Sequence, residues 1–198
     1  MIRLRPAGNR AAIVEVPDNA AAVRLAELLR DECSGLVDVV PGHCTVLASW
    51  ARDVPDLRAF AERSLGGAAQ PAGRGVDIAV HYDGPDLEEV ARLTGLSPEE
   101  VVARHVAAET SVAFLGFQPG FAYLLGIDPR LEVPRLETPR TRVPGGTVAI
   151  AGPYSGVYPR DSPGGWRLLG RTEATLFDAG REPPALLAPG DRVRFTAA

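Results

Sequence analysis

A single histidine in the second half of the chain is placed where it could do acid–base or hydrogen-bonding chemistry. His105 falls on the inner side of a predicted helix, one turn after Val102 and four residues before Glu109, a spacing at which helical side chains meet. Two interpretations stay open. In the first, the ring packs in the core and Glu109 or the backbone satisfies its nitrogen. In the second, Glu109 holds one tautomer and the ring points into a cavity as a hydrogen-bonding group or proton carrier.

A turn rich in proline and glycine carries the next polar candidates. The run Gln118-Pro119-Gly120 can simply close a hairpin, since Pro-Gly supplies the dihedral angles that a turn needs. The polar ends of Gln118 and Tyr123, however, lie beside Phe117 and Phe121 in the sequence. This combination is typical of a mostly apolar pocket in which a few polar groups orient a small ligand.

Several arginines follow in a segment, Pro129 to Pro144, that its prolines keep out of regular helix. An arginine on a rigid loop loses little conformational entropy when it pairs with a carboxylate or phosphate, so one or two of these side chains are candidates to bind an anionic group. The alternative for each is a solvated surface charge. The four arginines are Arg130, Arg135, Arg140 and Arg142.

Two large aromatic residues lie among glycine-rich turns further on. Tyr158 precedes a proline, and Ser162 to Trp166 includes two glycines that let backbone N–H groups approach a ligand closely. Between Gly116 and Gly170, 55 residues hold ten of the 21 glycines and eight of the 18 prolines. So many turns in one segment predict a surface that presents side chains and lines a site, although Trp166 can equally be a core residue.

The chain has no lysine, and this absence excludes several mechanisms. All 21 basic residues are arginine, so a phosphate-loop lysine, a Schiff-base amine, a lysine-assisted serine amidase and a biotin-carrying lysine are impossible within this polypeptide. A Gly-x-Ser-x-Gly elbow and a Gly-x-Gly-x-x-Gly fingerprint are also missing. Three scattered histidines and two isolated cysteines match no metal-ligand spacing, so we expect no metal site. Any reaction step that needs such a lysine would have to be carried out by a partner protein.

Charge and hydropathy narrow the function classes further. The net charge is -4, without the basic stripe that a nucleic-acid-binding surface needs, so we expect no nucleic-acid partner. No apolar run approaches the roughly 20 residues that span a bilayer, and nothing after Met1 has the pattern of a signal peptide. The sequence therefore predicts a soluble cytoplasmic protein without a membrane partner.

The elements that must position these residues fall into two groups. The first 72 residues predict a small α+β domain, and Gly66–Gly75, rich in glycine, alanine and proline, is the best linker candidate. We therefore place the domains at 1–72 and 73–198. The elements predicted in the first domain are a strand at Ala11–Val16, a helix capped by Asp18 and ended by Gly35, a strand pair at Val37–Val40 and Thr45–Trp50, and a helix through Leu57, Phe60 and Ala61.

The second group begins with a strand and two helices and continues with short strands. Val76 to Val80 alternates apolar and polar residues, and Asp86–Thr94 has a helical apolar face that Gly95 ends. Ser97 is followed by proline and then by a glutamate three positions on, which predicts a capping box. From Ser111 onward the signals are strands and turns. A closed or strongly curved sheet is the expected way to cover so many strand edges.

These motifs together resemble the KipI-like family, also called allophanate hydrolase subunit 1 or the 5-oxoprolinase B subunit, a carboxyltransferase C/D-type domain. The resemblance implies an α+β fold, with a small α+β N-terminal domain followed by a cyclophilin-like β-barrel domain. The motifs that carry it are Gly84-Pro85-Asp86-Leu87, His105, Gly116 to Leu124, Pro134-Arg135, Val143-Pro144-Gly145-Gly146, Gly156-Val157-Tyr158-Pro159, Ser162 to Trp166 and Gly170-Arg171-Thr172.

The resemblance also implies a function. It points to a subunit, not active alone, of an ATP-dependent amide or lactam hydrolase, either a 5-oxoprolinase or an allophanate hydrolase or urea carboxylase-like complex. Such a subunit acts on a small lactam or ureido substrate with a subunit-2 or subunit-C barrel partner and a third subunit, and ATP is expected to bind with the partners. The alternatives are a KipI-type inhibitor of a sensor histidine kinase and a paralogue that only scaffolds its partner.

Within this hypothesis His105, Gln118 and Tyr123 take catalytic roles. The family commonly has Gln or Asn where this chain has Tyr154, and a Tyr where it has Thr110, so a ligand contact at Tyr154 is expected to differ. The residues assigned to substrate binding are Phe117, Pro119, Gly120, Arg135, Arg142, Gly145, Tyr154, Tyr158, Gly164, Trp166 and Arg171.

Overall fold

The computed structural model of the chain describes residues 2–66 and 73–198. Its contacts divide the chain into two units, Met1–Pro71 and Ala72–Ala198. Most of the linker predicted at Gly66–Gly75, and the boundary predicted after residue 72, lie outside the described residues. None of the helices in the described ranges is long and apolar enough to cross a membrane.

The N-terminal unit is a four-stranded antiparallel sheet with two helices. Its elements are β1 Arg3–Pro6, β2 Ala11–Glu15, α1 Asn19–Glu32, β3 Leu36–Pro41, β4 Thr45–Trp50 and α2 Arg58–Gly66, and its strand order is β1-β2-β4-β3. Buried and exposed positions alternate along β2 and β4, because successive strand side chains point to opposite faces. Val14, Val46 and Ala48 therefore share one core with Leu25 and Leu29 of α1.

Capping of α1 agrees with the sequence at one end and differs at the other. Asp18 caps the helix as predicted, because its carboxylate accepts a bond of 2.8 Å from the Ala21 N–H. The helix ends earlier than predicted, at Glu32, with Cys33 as its C-cap. Gly35 instead lies in the turn before β3 with a φ of 73°, so a turn glycine does not mark the last helical residue here.

The C-terminal unit contains a seven-stranded sheet, two helices and a separate two-stranded ribbon. The sheet order is β12-β9-β10-β7-β6-β13-β5, and β8 and β11 form the ribbon. The elements are β5 Gly75–Val80, α3 Leu87–Thr94, α4 Pro98–Ala107, β6 Thr110–Leu115, β7 Ala122–Leu125, β8 Arg140–Val143, β9 Thr147–Ala151, β10 Tyr154–Val157, β11 Ser162–Gly164, β12 Arg167–Arg171 and β13 Arg192–Ala197, with a 3-10 turn at Pro129–Leu131.

The seven-stranded sheet is nearly closed. Its edge strands are β12 and β5, and the residue after β5 bridges them, since His81 and Arg171 exchange two backbone hydrogen bonds of 2.9 Å. Gly170 permits this approach, because a β-carbon there would overlap with the His81 carbonyl. Closure satisfies backbone groups that open edges would leave unpaired. The predicted α+β class and the predicted closed or strongly curved sheet are confirmed.

The start of α4 and the end of α3 lie where local chemistry predicts. Ser97 and Glu100 form the capping box of α4: the Ser97 hydroxyl accepts from the Glu100 N–H at 3.2 Å, and the Glu100 carboxylate accepts from the Ser97 N–H at 2.8 Å. Gly95 ends α3 in the left-handed conformation with a φ of 65°. These contacts join residues at most four positions apart, which is why the sequence reveals them.

Strand β9 lies at the centre of the packing and is buried along its whole length. Val148 and Ile150 belong to clusters on one side of the sheet. Ala149 and Ala151 pack on the other side in a cluster that includes Trp166. A strand buried on both faces shows no alternation, and here it is the layer on which the candidate site is built.

Candidate functional site

The hairpin of β6 and β7 ends in a turn that carries a phenylalanine into solvent. Phe117 is 60% exposed and has a φ of 67°, a conformation that bulky residues rarely adopt. The Phe121 N–H donates to the Gln118 carbonyl at 3.0 Å, and Gly120 follows with a φ of 83°. Pro119-Gly120 thus closes the hairpin, as one interpretation predicted. The unusual backbone at Phe117 marks the same turn as a candidate functional feature.

Seven aromatic side chains meet beside this turn, and we call them the aromatic surface. They are Phe114, Phe117, Phe121, Tyr123, Tyr154, Tyr158 and Trp166. Phe121, Tyr158 and Trp166 are buried, whereas Tyr123 and Tyr154 are only half-buried. The group therefore has a buried floor and an accessible upper layer, an arrangement suited to an apolar ligand face.

Tyr123 is the central ring of the aromatic surface. It stacks on Phe114, its neighbour across the β6–β7 pair, with ring centroids 4.3 Å apart. It meets Phe121, Tyr154 and Trp166 edge to face at 5.1, 5.4 and 5.5 Å. These are favoured aromatic geometries, each worth about 0.5–1.5 kcal/mol beyond burial. Burial also raises the pKa of the Tyr123 phenol, with Arg135 opposing that rise, so the group is a neutral donor at neutral pH.

The β8–β11 ribbon forms one wall of the site. Gly164 lies so close to Tyr158 that a β-carbon would overlap with the phenol oxygen. Burial raises the pKa of Tyr158, while the backbone N–H of Trp166, which bonds the phenol, and the charges of Arg135 and Arg140 act in the opposite direction. The phenol is thus a fixed part of the wall, and both guanidinium groups lie near it.

Arg140 ties this ribbon to the sheet through a buried carboxylate. One Arg140 nitrogen donates to Asp86 Oδ1 at 2.6 Å, and Asp86 Oδ2 accepts from the Leu168 N–H of β12 at 2.7 Å. Asp86 is buried and Arg140 is about one-third exposed, with side-chain exposures of 8% and 30%. Both carboxylate oxygens are therefore occupied, and the pair fixes where the ribbon sits.

Gln118 is held by neighbours at both ends of its amide. Its oxygen accepts from Arg160 Nε at 3.2 Å, and its nitrogen lies 3.5 Å from the Ser162 hydroxyl. The two contacts come from the loop before β11 and from β11 itself. They set the orientation of a side chain that follows the exposed Phe117 in the turn, as an orienting group in a binding site would require.

Two arginines assigned to substrate binding are held in exposed ion pairs. Arg142 Nε donates to Asp161 at 2.7 Å, and the Gly145 N–H bonds the other oxygen of that carboxylate at 2.9 Å. The Gly145 N–H and the Arg142 guanidinium lower the pKa of Asp161. Arg171 Nε donates to Asp83 at 2.8 Å at the end of β12. Both guanidinium groups thus already have carboxylate partners.

His105 is fully buried in the core of the C-terminal unit and does not line the aromatic surface. Its Nδ1 lies 2.7 Å from the Tyr82 hydroxyl and its Nε2 lies 2.8 Å from the Ser155 hydroxyl, and its ring stacks on Phe195 at 4.5 Å. Burial lowers its pKa to about 4. The ring packs in the core, as the first interpretation predicted, but neither version's Glu109 contact is right, because these two hydroxyls hold both nitrogens.

The hydroxyl of Ser155 indicates which tautomer His105 adopts. Ser155 donates to the Ala149 carbonyl at 3.4 Å, so its oxygen is left to accept from His105 Nε2–H. Nδ1 then accepts from the Tyr82 hydroxyl. The three side chains form one directed hydrogen-bond chain inside the core.

The structure brings together most of the residues named from the sequence, and it also adds some. Gln118, Tyr123, Tyr154, Tyr158 and Trp166 meet in or beside the aromatic surface. His105 and Arg171 lie in other contacts. The sequence analysis missed Phe114, Arg160, Asp161, Ser162, Tyr82 and Ser155 as members of these groups. Alternation along β6 could not have placed Phe114, because the strand pairing shifts register between Val112 and Phe114, and the others depend on long-range pairing.

Other features of the C-terminal unit lie apart from the aromatic surface. A cleft of about 660 Å³ opens between the C-terminal end of α4 and the starts of β5, β6 and β13. Its charged lining residues are Asp77, Glu109, Arg192 and Arg194, and Asp77 is paired with Arg194 at 2.8 Å. Within residues 2–66 and 73–198, no group of three His, Cys, Asp or Glu side chains could hold a metal ion.

Comparison with known families gives a match over most of the chain. The family described as carboxyltransferase domain, subdomain C and D, matches residues 2–187. The chain belongs to this family, and the resemblance stated from the motifs is confirmed.

Curated relatives agree with this assignment. The chain is 45% identical to the Escherichia coli O157:H7 protein named as the B subunit of 5-oxoprolinase, over 87% of this chain and 82% of that protein. It is 50% identical to the Bacillus subtilis protein of the same name, over 61% of this chain and 51% of that protein. It also matches the Saccharomyces cerevisiae urea amidolyase at 32% identity, over 56% of this chain and 6% of that protein.

Solved structures share the fold. TTHA0988 superposes with a TM-score of 0.81 at 43% identity, covering 96% of this chain and 40% of that chain. The K. lactis urea amidolyase superposes with a TM-score of 0.79 at 21% identity, covering 100% of this chain and 15% of that chain. The chain thus spans well under half the length of either protein.

Proposed function

We propose that this chain is a subunit, not active alone, of an ATP-dependent hydrolase that opens an amide or lactam C–N bond, acting as the B subunit of a 5-oxoprolinase. The observation that carries the proposal is the 44–50% identity to three proteins of that name. The reaction we assign to the complex is the opening of 5-oxo-L-proline to L-glutamate in the cytoplasm, with ATP bound by the partner subunits.

The aromatic surface supports a small planar substrate. A lactam ring has two apolar faces and one polar amide edge, and the aromatic surface offers half-buried Tyr123 and Tyr154 rings while the adjoining turn holds the Gln118 amide. Donors near the amide oxygen would stabilise the negative charge that develops there when the carbonyl is attacked. In this proposal Gln118 and Tyr123 touch the substrate, whereas His105 acts through Ser155 and positions β10.

The proposal places a partner over the open side of the aromatic surface. Phe117 is 60% exposed there, and its positive φ is a costly backbone conformation of the kind that clusters at ligand-binding and switch regions. A subunit-2 or subunit-C barrel protein would cover this side and complete the site, and a third subunit would complete the enzyme. TTHA0988, of which the chain covers 40%, is consistent with a larger assembly.

Reconstitution tests the proposed function. The chain is expressed with the products of its neighbouring genes that encode the expected partners, and 5-oxoproline-dependent ATP hydrolysis and glutamate formation are measured with and without it. We expect both activities to require the chain and to fall at least tenfold with Gln118→Ala. The exposed Arg192→Gln variant, altered in the separate cleft, serves as the control with unchanged turnover.

Two outcomes would contradict the proposal. Undiminished glutamate formation without the chain would remove it from the enzyme. Capture of a sensor histidine kinase, with inhibition of its autophosphorylation and without a barrel partner, would favour the KipI-type alternative instead.

A further inference from the structure

One arginine beside the aromatic surface lies on an anchored backbone and has no carboxylate partner among the residues that the structure describes. Arg135 is exposed, and its guanidinium carbon lies 5.9 Å from the ring centroid of Trp166. The residue before it is a proline, and the Leu136 N–H after it donates to the Gly165 carbonyl at 2.7 Å. The backbone that carries Arg135 is therefore anchored to Gly165, the residue that precedes Trp166.

The other arginines of this region already have acceptors: Arg140 and Arg142 bind carboxylates, whereas Arg160 binds the Gln118 amide oxygen and Arg167 binds the Pro134 carbonyl. Residues 133–142 and 158–167 contain five arginines and two acidic residues, Glu137 and Asp161, in a chain whose net charge is -4. Asp161 binds Arg142, and the nearby Asp86 binds Arg140. Within the described ranges no Asp or Glu oxygen lies within 4 Å of the Arg135 guanidinium. The Arg135 guanidinium therefore remains available to bind an anion beside the aromatic surface.

We infer that Arg135, seated over Trp166, binds the carboxylate of the substrate, so that this chain selects lactams that carry a carboxylate over neutral amides and ureas. A guanidinium presents two parallel N–H donors that match a carboxylate, and its cation–π contact with the indole, on an anchored backbone, limits the entropy lost on binding. The inference rests on the proposed function, because it assigns the aromatic surface to the substrate. It adds a residue, Arg135, that would distinguish an anionic lactam from uncharged urea.

Fluorine NMR of the whole labelled chain, combined with its unlabelled partner subunits, tests this inference. The chain contains two tryptophans, so 5-fluorotryptophan labelling gives one resonance at the site and a second from Trp50, which lies in the core of the N-terminal unit and serves as an internal reference. Sodium 5-oxoproline, pyrrolidin-2-one and sodium acetate are titrated at constant ionic strength. Pyrrolidin-2-one has the same ring without the carboxylate.

We expect 5-oxoproline to shift the Trp166 resonance in a saturable way and to bind at least tenfold more tightly than pyrrolidin-2-one. Arg135→Gln should remove that tenfold preference, whereas Arg135→Lys should restore part of it and the control Arg192→Gln should keep it. The Trp50 resonance and the circular dichroism spectrum of each variant establish that it is folded.

Contrary results would distinguish failure of the carboxylate site from failure of the proposed function. Equal affinity for 5-oxoproline and pyrrolidin-2-one, an undiminished preference in Arg135→Gln, or the absence of any Trp166 shift would overturn the carboxylate site while leaving the turnover assay of the proposed function unaffected. Acetate binding as tightly as 5-oxoproline, still dependent on Arg135, would support the carboxylate site and remove support for a lactam substrate.

Discussion

At the scale of single residues, close packing explains why glycine occurs where the aromatic surface is built. Gly164 lies in contact with the Tyr158 phenol, whereas a β-carbon added at its neighbour Gly165 would have its nearest atoms 3.6 Å or more away. Neighbouring residues of the same type therefore differ in what an added methyl group would meet. Such neighbours form a natural pair of variant and control.

Gly164→Ala is expected to destabilise the C-terminal unit by roughly 1–3 kcal/mol, because the added methyl group must displace a buried ring. Gly165→Ala should change the free energy of unfolding little, since its methyl group makes only ordinary contacts. Urea unfolding followed by circular dichroism measures both. Equal stability of the two variants would show that Tyr158 moves aside freely.

His105 makes stability depend on pH because it is buried in neutral form. Its pKa is about 4 in the folded chain and about 6.5 when unfolded, so the unfolded state binds more protons between these values. Its contribution is complete above pH 6.5 and is lost as the pH falls toward 4, amounting to about 3 kcal/mol. Urea unfolding at several pH values should show this loss. The loss should be absent in His105→Gln and retained in the exposed control His81→Gln.

At the scale of elements, the main tether of the site is the buried contact between the β8–β11 ribbon and the sheet. Asp86 was predicted only as the start of α3, yet its side chain makes no capping bond. Its two oxygens instead bind Arg140 and the Leu168 N–H. The position of Asp86 at the start of α3 therefore gave no indication of its role in holding the ribbon.

Asp86→Asn is expected to lower the free energy of unfolding by about 2–3 kcal/mol, because it leaves a partly buried guanidinium without its counter-charge. The change should also weaken 5-oxoproline binding, since the ribbon carries one wall of the aromatic surface. Asp83→Asn, which breaks the exposed pair with Arg171, is the matched control and should be neutral. A stable Asp86→Asn variant with unchanged binding would show that the tether is dispensable.

At the scale of the whole molecule, the C-terminal unit has the features of an independent folding unit. It contains three hydrophobic clusters of its own and a sheet that is nearly closed. The domain boundaries at 1–72 and 73–198 remain a prediction, because the residues between the units lie outside the described ranges. Independent folding can be measured directly.

Residues 73–198 expressed alone are expected to unfold in one cooperative thermal transition and, once combined with the partner subunits, to retain the 5-oxoproline affinity of the whole chain. Circular dichroism and the Trp166 fluorine resonance measure these properties. A fragment without a cooperative transition would contradict the proposed boundary. The remaining fragment, 1–66, provides the complementary comparison.

The sequence by itself determined the features that depend on neighbours along the chain. The capping box at Ser97, the cap at Asp18, the Gly95 helix end and the Pro119-Gly120 turn each use contacts over a few residues, so composition and spacing reveal them. The same local patterns carried the family resemblance. They also placed Gln118, Tyr123, Tyr158 and Trp166 in segments that the fold brings together.

Only the tertiary structure decided which partners these side chains meet. His105 joins Tyr82 and Ser155, which are 23 and 50 positions away, and not the Glu109 that helical spacing favoured. Arg140 joins Asp86 across 54 positions. Such contacts follow from strand order and sheet closure, because pairing brings distant segments to the distance of a hydrogen bond, and local periodicity carries no record of that order.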